Sequence, residues 1–211
     1  MDGPPSPLTA ADRIALLKEH NAAWESLRWK ESNNLPMQQG HVWELSGGVF
    51  AQSSSSNLLH FRRLPSQCRN IEEKSWRVAL DIDIRDFTMD PGQDLLVVIE
   101  KPRSPLPYVH PLSYIFPILN LLYYNSNHSE IVRQIRIHLR SLTTGDKHRL
   151  APQLPLLIHD LNVQEARRMT YTLQVCGNLL GVLFTSHVVP VSGLTIWNWT
   201  TGEVILVNHL I

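Results

Sequence analysis

The spacing of hydrophobic residues changes once along the chain, near residue 40, and divides it into two kinds of structure. Ile14, Leu17, Trp24 and Leu27, widened by Leu16, fall at helical spacing, so the pattern predicts a helix over 9–31 that buries one stripe. Thr9 stands where an N-cap would, and Asp12, three residues on, places a carboxylate at the positive end of that helix. Residues 1–7, rich in Pro, Ser and Gly, read as an extended or disordered lead-in.

From His41 onward the period is two. HVWELSGGVFA (41–51) and NLLHFRRL (57–64) are strand candidates joined by the serine run Ser53 to Ser56, read as a loop. WRVALDIDIRDF (76–87) sets Val78, Leu80, Ile82 and Ile84 on one face of a strand and Asp81, Asp83 and Arg85 on the other. DLLVVIE (94–100) is a continuous apolar run and reads as a buried strand. IRIHLRSL (135–142) alternates again, with Ile135, Ile137 and Leu139 inward and Arg136, His138 and Arg140 outward. YTLQVCG, LLGVLF, LTIWNW and EVILV complete the series. One helix followed by many short strands makes a mainly β sandwich, barrel or propeller the expected class.

A repeat narrows that choice. Strand, Thr-Thr-Gly turn, strand occurs at 138–150 (HLRSL-TTG-DKHRL) and at 195–207 (TIWNW-TTG-EVILV). Each copy follows an apolar strand, DLLVVIE in one case and NLLGVLF (178–184) in the other. This unit resembles part of a propeller blade of the WD-like kind, whose repeats run to about 40–45 residues. The first copy is stretched by 102–132, a Pro-, Tyr-, Asn- and Leu-rich segment whose composition fits neither strands nor a polar loop. It is expected to be an irregular or helical insertion.

Composition adds mainly exclusions. Nineteen Lys+Arg balance nineteen Asp+Glu, whereas binding to nucleic acid draws on a surplus of basic residues. No basic segment leads into an apolar one at the N-terminus, so no signal peptide is read there. The most apolar stretch, LSYIFPILNLLYY (112–124), is too short for a membrane-spanning helix and is broken by Pro117. Cys68 and Cys176 have no CxxC or metal-ligand neighbours, so an intracellular location, cytoplasmic or nuclear, is expected.

Six segments taken in order resemble a family of mushroom-type (basidiomycete) fungal F-box proteins: DGPPSPLTAADRIALLKEHNAAWESLRW, WELSGGVFAQ, DFTMDPGQDLLVVIEKP, IRIHLRSLTTGDKHRLAP, GNLLGVLFTSH and LTIWNWTTGEVIL. The resemblance runs from residue 2 almost to the C-terminus, interrupted at about 102–132. It implies a propeller-like target-binding region behind an F-box, the helical module that docks on the Skp1 adaptor of a cullin ubiquitin ligase. No Leu-Pro-x-Glu-type F-box precedes Asp2, so Skp1 and cullin are expected as partners only if an F-box lies upstream. The insertion would suit translated intron sequence. Residues 1–40 are therefore read as lead-in and helix, and 41–211 as a partial propeller-like domain. About 170 residues at about 42 per blade allow four blades at most, and about three once the insertion is set aside.

Candidate chemistry is sparse. Asp81 and Asp83, on one strand face, could share a cation or act as paired acids, but they lack the Gly and third oxygen of a calcium loop. A solvated polar face is the plainer reading. His138, between Arg136 and Arg140 on its face, has the composition of a phosphate or acidic-peptide site, again weighed against a plain outer strand. Trp197 and Trp199 point to one face, where packing between blades is preferred to a stacking platform for a ligand. Trp24 and Trp29 fit packing of the helix on the β-domain. His148 and His159 read as turn or loop residues, and Cys176 as buried and inert. No nucleophile, phosphate-loop or zinc-protease motif occurs. No catalytic, cofactor-binding or metal residue is therefore assigned, and no cofactor is expected. The expected function is a non-enzymatic interaction module with an unknown protein target, with neither nucleic acid nor membrane as partner. The alternatives are a small-ligand or metal-binding β-protein or hydrolase using the Asp81/Asp83 face, or a non-functional truncated product.

Overall fold

A computed structural model of the chain describes residues 8–28, 32, 34, 40–66, 69–101, 133–151, 156–161, 169–186 and 192–210. The chain divides into two compact units, Met1–Met37 and Gln38–Ile211. The expected insertion at 102–132, Cys68 and Trp29 lie outside the described residues.

Among its described residues the first unit holds one helix, α1 (Ala10–Glu25). Thr9 caps it in both directions: its Oγ1 accepts from the Asp12 N–H at 3.2 Å, and the Asp12 carboxylate accepts from the Thr9 N–H at 3.0 Å. That reciprocal pattern satisfies two of the donors a helix start leaves open. The helix stops six residues short of the expected 31. Ser26 turns its N–H back to the Ala22 carbonyl, and Leu27 adopts a left-handed φ of +49°. The expected buried stripe is also corrected. Ile14, Leu16, Leu17, Trp24 and Leu27 are all exposed, because the spacing of a stripe says which side is apolar and not that anything covers it.

The second unit is mainly β, as its period-2 pattern predicts. Among its described residues, twelve strands form three four-stranded antiparallel sheets, each wound in sequence order. Sheet I comprises β1 (Trp43–Ser46), β2 (Val49–Ser53), β3 (Leu58–Arg63) and β4 (Lys74–Ala79). Sheet II comprises β5 (Ile84–Asp90), β6 (Leu95–Glu100), β7 (Arg133–Ser141) and β8 (Leu156–Leu161). Sheet III comprises β9 (Met169–Cys176), β10 (Leu179–Ser186), β11 (Ser192–Asn198) and β12 (Glu203–Leu210).

Three strand expectations are revised. HVWELSGGVFA is two strands, because Gly47 and Gly48, at φ +55° and +77°, make the two-residue turn that suits a hairpin. WRVALDIDIRDF is broken at Leu80–Asp83, where the chain crosses from sheet I to sheet II. Val78, Leu80, Ile82 and Ile84 are nonetheless all buried, so the alternation survives the break. The crossing is pinned by backbone bonds from Leu80 N–H to the Asn57 carbonyl and from Ile84 N–H to the Ser56 carbonyl, at 2.8 and 2.6 Å. His159, expected in a turn or loop, lies in β8.

The sheets repeat one another in register. Val49 pairs with Arg63, Leu95 with Ser141, and Leu179 with Asn198, in each case the first residue of the second strand with the last of the third. The residue that follows the third strand, Leu64, Leu142 or Trp199, donates its N–H to the carbonyl just before the second strand. The acceptors are Gly48, Asp94 and Asn178, at 2.8, 2.8 and 3.0 Å. Both Thr-Thr-Gly turns stand at this point, one in sheet II and one in sheet III, closed by Gly145 N–H to the Ser141 carbonyl and Gly202 N–H to the Asn198 carbonyl.

Each sheet has a forward face, turned toward the next sheet along the chain, and a backward face. The forward face of sheet I (Val49, Ala51, Leu59, Phe61) packs with the backward face of sheet II (Phe87, Met89, Leu96, Val98) in one cluster. Leu95, Val97, Ile99, Ile137 and Leu139, forward on sheet II, pack with Tyr171, Leu180, Val182 and Phe184, backward on sheet III, in a second. Sheet II is thus covered on both sides, which is why β6 is continuously apolar. The first strands neighbour one another: β5 contacts both β1 and β9.

Candidate functional site

The two candidate groups that alternation separated are joined at the crossing from sheet I to sheet II. Asp81 and Asp83 do not share a strand face, because both lie in the connection. Arg140 Nη2 donates to Asp81 Oδ1 at 2.7 Å, while the Asp83 carbonyl accepts from the Lys101 N–H at 2.8 Å. Asp81 therefore already carries its counter-charge. No group of three metal-ligating side chains occurs among the described residues.

His138 is not on an outer polar face. It is 6% exposed, and its Nε2 lies 3.0 Å from Oε2 of Glu100, which is buried as well. The alternation in β7 correctly separated two faces, but the side opposite Ile135, Ile137 and Leu139 turns toward sheet I, and His138 and Glu100 are buried there. Burial lowers the imidazole pKa, against the opposing pull of Glu100. Of the three-residue stripe, Arg136 is exposed and Arg140 half-buried.

A second polar cluster, which the sequence did not flag, lies on the neighbouring first strands. Thr88 Oγ1 on β5 donates to Glu44 Oε1 on β1 at 2.8 Å. Arg85 Nη2 on β5 donates to the Met169 carbonyl on β9 at 3.1 Å. These bonds tie sheet I to II and II to III along one edge. Asp86 accepts from its neighbour Phe87's N–H at 2.9 Å. Burial raises the carboxyl pKa values of Glu44 and Asp86, and the Asp86 charge adds to the shift of Glu44. Burial also raises Tyr171 on β9, which sits in the fields of Arg85 and Asp86. Chemically, the strip offers two half-buried carboxyls whose neutral form burial favours, a hydroxyl and a guanidinium. The sequence signal available was register: Glu44 and Thr88 occupy the same position in their sheets, opposite Ala51 and Val97.

The aromatic candidates serve packing. Trp197 and Trp199 are both buried in the cluster between sheets II and III. Trp199 Nε1 donates to the Gly177 carbonyl at 2.9 Å, and its ring meets His148 edge-on at 5.1 Å. His148 is buried too, with Nε2 3.0 Å from the Gln93 carbonyl. Cys176 corrects the expectation of burial: it ends β9 on the open side of sheet III and is exposed.

Compared with family models, with curated proteins and with solved structures, the chain matches none. No helix among the described residues is long and apolar enough to cross a membrane.

Proposed function

We propose that residues 41–211 are three blades of a β-propeller and serve as a non-enzymatic surface for binding a protein target. The observation that carries the reading is the triple repeat: three meanders with one register, stacked forward face to backward face, with neighbouring first strands. Propeller blades are four-stranded sheets arranged in this way around a central channel. The Glu44–Arg85–Asp86–Thr88 strip then borders that channel. The resemblance to fungal F-box proteins supplies the role, that of a target-binding region in a cullin ubiquitin ligase. Fold alone supplies no activity.

Two arms test the role. Residues 1–211 alone, mixed with purified Skp1, should recover none of it. The same residues behind an added F-box, expressed in a basidiomycete, should destabilise the proteins that the chain by itself captures. Disjoint sets of captured and destabilised proteins overturn the reading, as does one-to-one Skp1 binding by the chain alone.

A further inference from the structure

Two faces of the sheet stack are left open, and they are of opposite kinds. Sheet I has no sheet behind it and sheet III none ahead of it among the described residues. The backward face of sheet I carries Trp43, Leu45 and Phe50, with Trp43 62% and Leu45 55% exposed. The forward face of sheet III carries Leu179, Leu183, Leu194 and Ile196, with Leu179 38% exposed.

Register identifies what each open position does elsewhere in the chain. Leu45 occupies the place of Met89 in sheet II and Val175 in sheet III, because these pair with Phe50, Leu96 and Leu180 respectively. Leu179 occupies the place of Val49 and Leu95. Met89 and Val49 belong to one buried cluster, and Val175 packs on the cluster that holds Leu95. The chain therefore makes the same forward-to-backward contact twice and exposes one unused half of it at each end.

We infer that a second copy of this chain occupies both open faces, so that two chains close a ring of six sheets. The inference rests on the blade reading above. A forward face on one copy meets the backward face of the other, and the twofold axis repeats the contact. Six lies within the roughly four to eight blades at which propellers close. A closed ring consumes both faces, whereas a rotation that failed to close would give an open series.

The test is the mass of the full chain in solution, by sedimentation or light scattering at micromolar concentration. The expected result is twice the chain mass. Leu45→Lys and Leu179→Asp, at exposed positions that a folded monomer tolerates, should each shift the protein to monomer. Mixing the two variants should restore the dimer, because one of its two contacts then carries Lys against Asp and the other carries neither change. A monomeric wild type, an open series of oligomers, or a dimer that survives both substitutions overturns the inference. Amide exchange on the same samples separates the two readings. A monomer that still protects β6 keeps the stacked sheets and loses only the ring, while loss of that protection removes the blade reading itself.

Discussion

A methyl group at position 145 has no room. Gly145 holds φ at +81°, and a Cβ built there meets Val78 Cγ1 at 2.5 Å, inside the contact between sheets I and II. Gly48 shares the left-handed geometry, at +77°, but nothing lies within 4 Å of its Cβ position. Gly48→Ala should therefore cost only the left-handed penalty, about 1 kcal/mol, and Gly145→Ala about 1–3 kcal/mol more. Paired urea melts check the difference, and equal midpoints would refute the crowding. Glu44 offers a pH test. Its carboxyl pKa lies above the ordinary 4.5 in the folded chain, chiefly through burial. A raised acid contributes stability below its unfolded pKa and loses it as pH rises through the folded value. Glu44 should thus contribute a loss of stability as pH rises above the ordinary 4.5, and Glu44→Gln, which keeps an oxygen for Thr88, should lack that component. A difference unchanged by the substitution would remove Glu44 from the account. Glu44 did not stand out in the sequence. Gly145 was legible as a turn glycine, but the neighbour that makes it irreplaceable comes from another sheet.

At the scale of elements, local chemistry was legible and partners were not. Thr9 and Asp12 were readable as a helix start because a capping box lies within four residues and needs nothing else. Thr9→Ala should lower the stability of α1 by about 1 kcal/mol. The mean helicity of a peptide spanning residues 8–28 should fall visibly in circular dichroism. The buried stripe of that helix failed as an expectation because burial depends on what lies opposite. The same limit explains His138. Alternation placed it correctly across β7 from Ile137, yet a strand covered on both sides shows the same alternation as one facing water, and only sheet I decides. Asp81 and Asp83 failed in another way: apolar spacing continued through the break after Ala79, so the pattern gave no sign of the crossing.

For the whole molecule, the repeat carried the most information. Two Thr-Thr-Gly turns, each behind an apolar strand, located the third strands of sheets II and III from the letters alone. Sheet I has no such turn, and its equivalence shows in the Val49–Arg63 register and the Leu64 to Gly48 backbone bond. Protection should follow the layering. The slowest-exchanging amides are expected in β6, buried throughout and paired on both edges, and the fastest among the strands in β12, an edge strand with exposed Val204, Ile205, Leu206 and Val207. Hydrogen exchange resolved by residue checks the order.

The longest connection within any sheet falls between β6 and β7, the two central strands of the most covered sheet. The second-to-third-strand links of sheets I and III span only four and five residues, so those sheets can zip up from sequence neighbours. The middle sheet must first bring together Glu100 and Arg133. With about 0.6 kcal/mol of closure entropy for each doubling of loop length, that encounter carries roughly 2 kcal/mol more than a tight hairpin. Assembly is therefore timed from the inside, with two outer sheets waiting on the one they both require. Replacing 103–131 by a short turn should speed refolding by about tenfold or more while leaving the unfolding rate nearly unchanged.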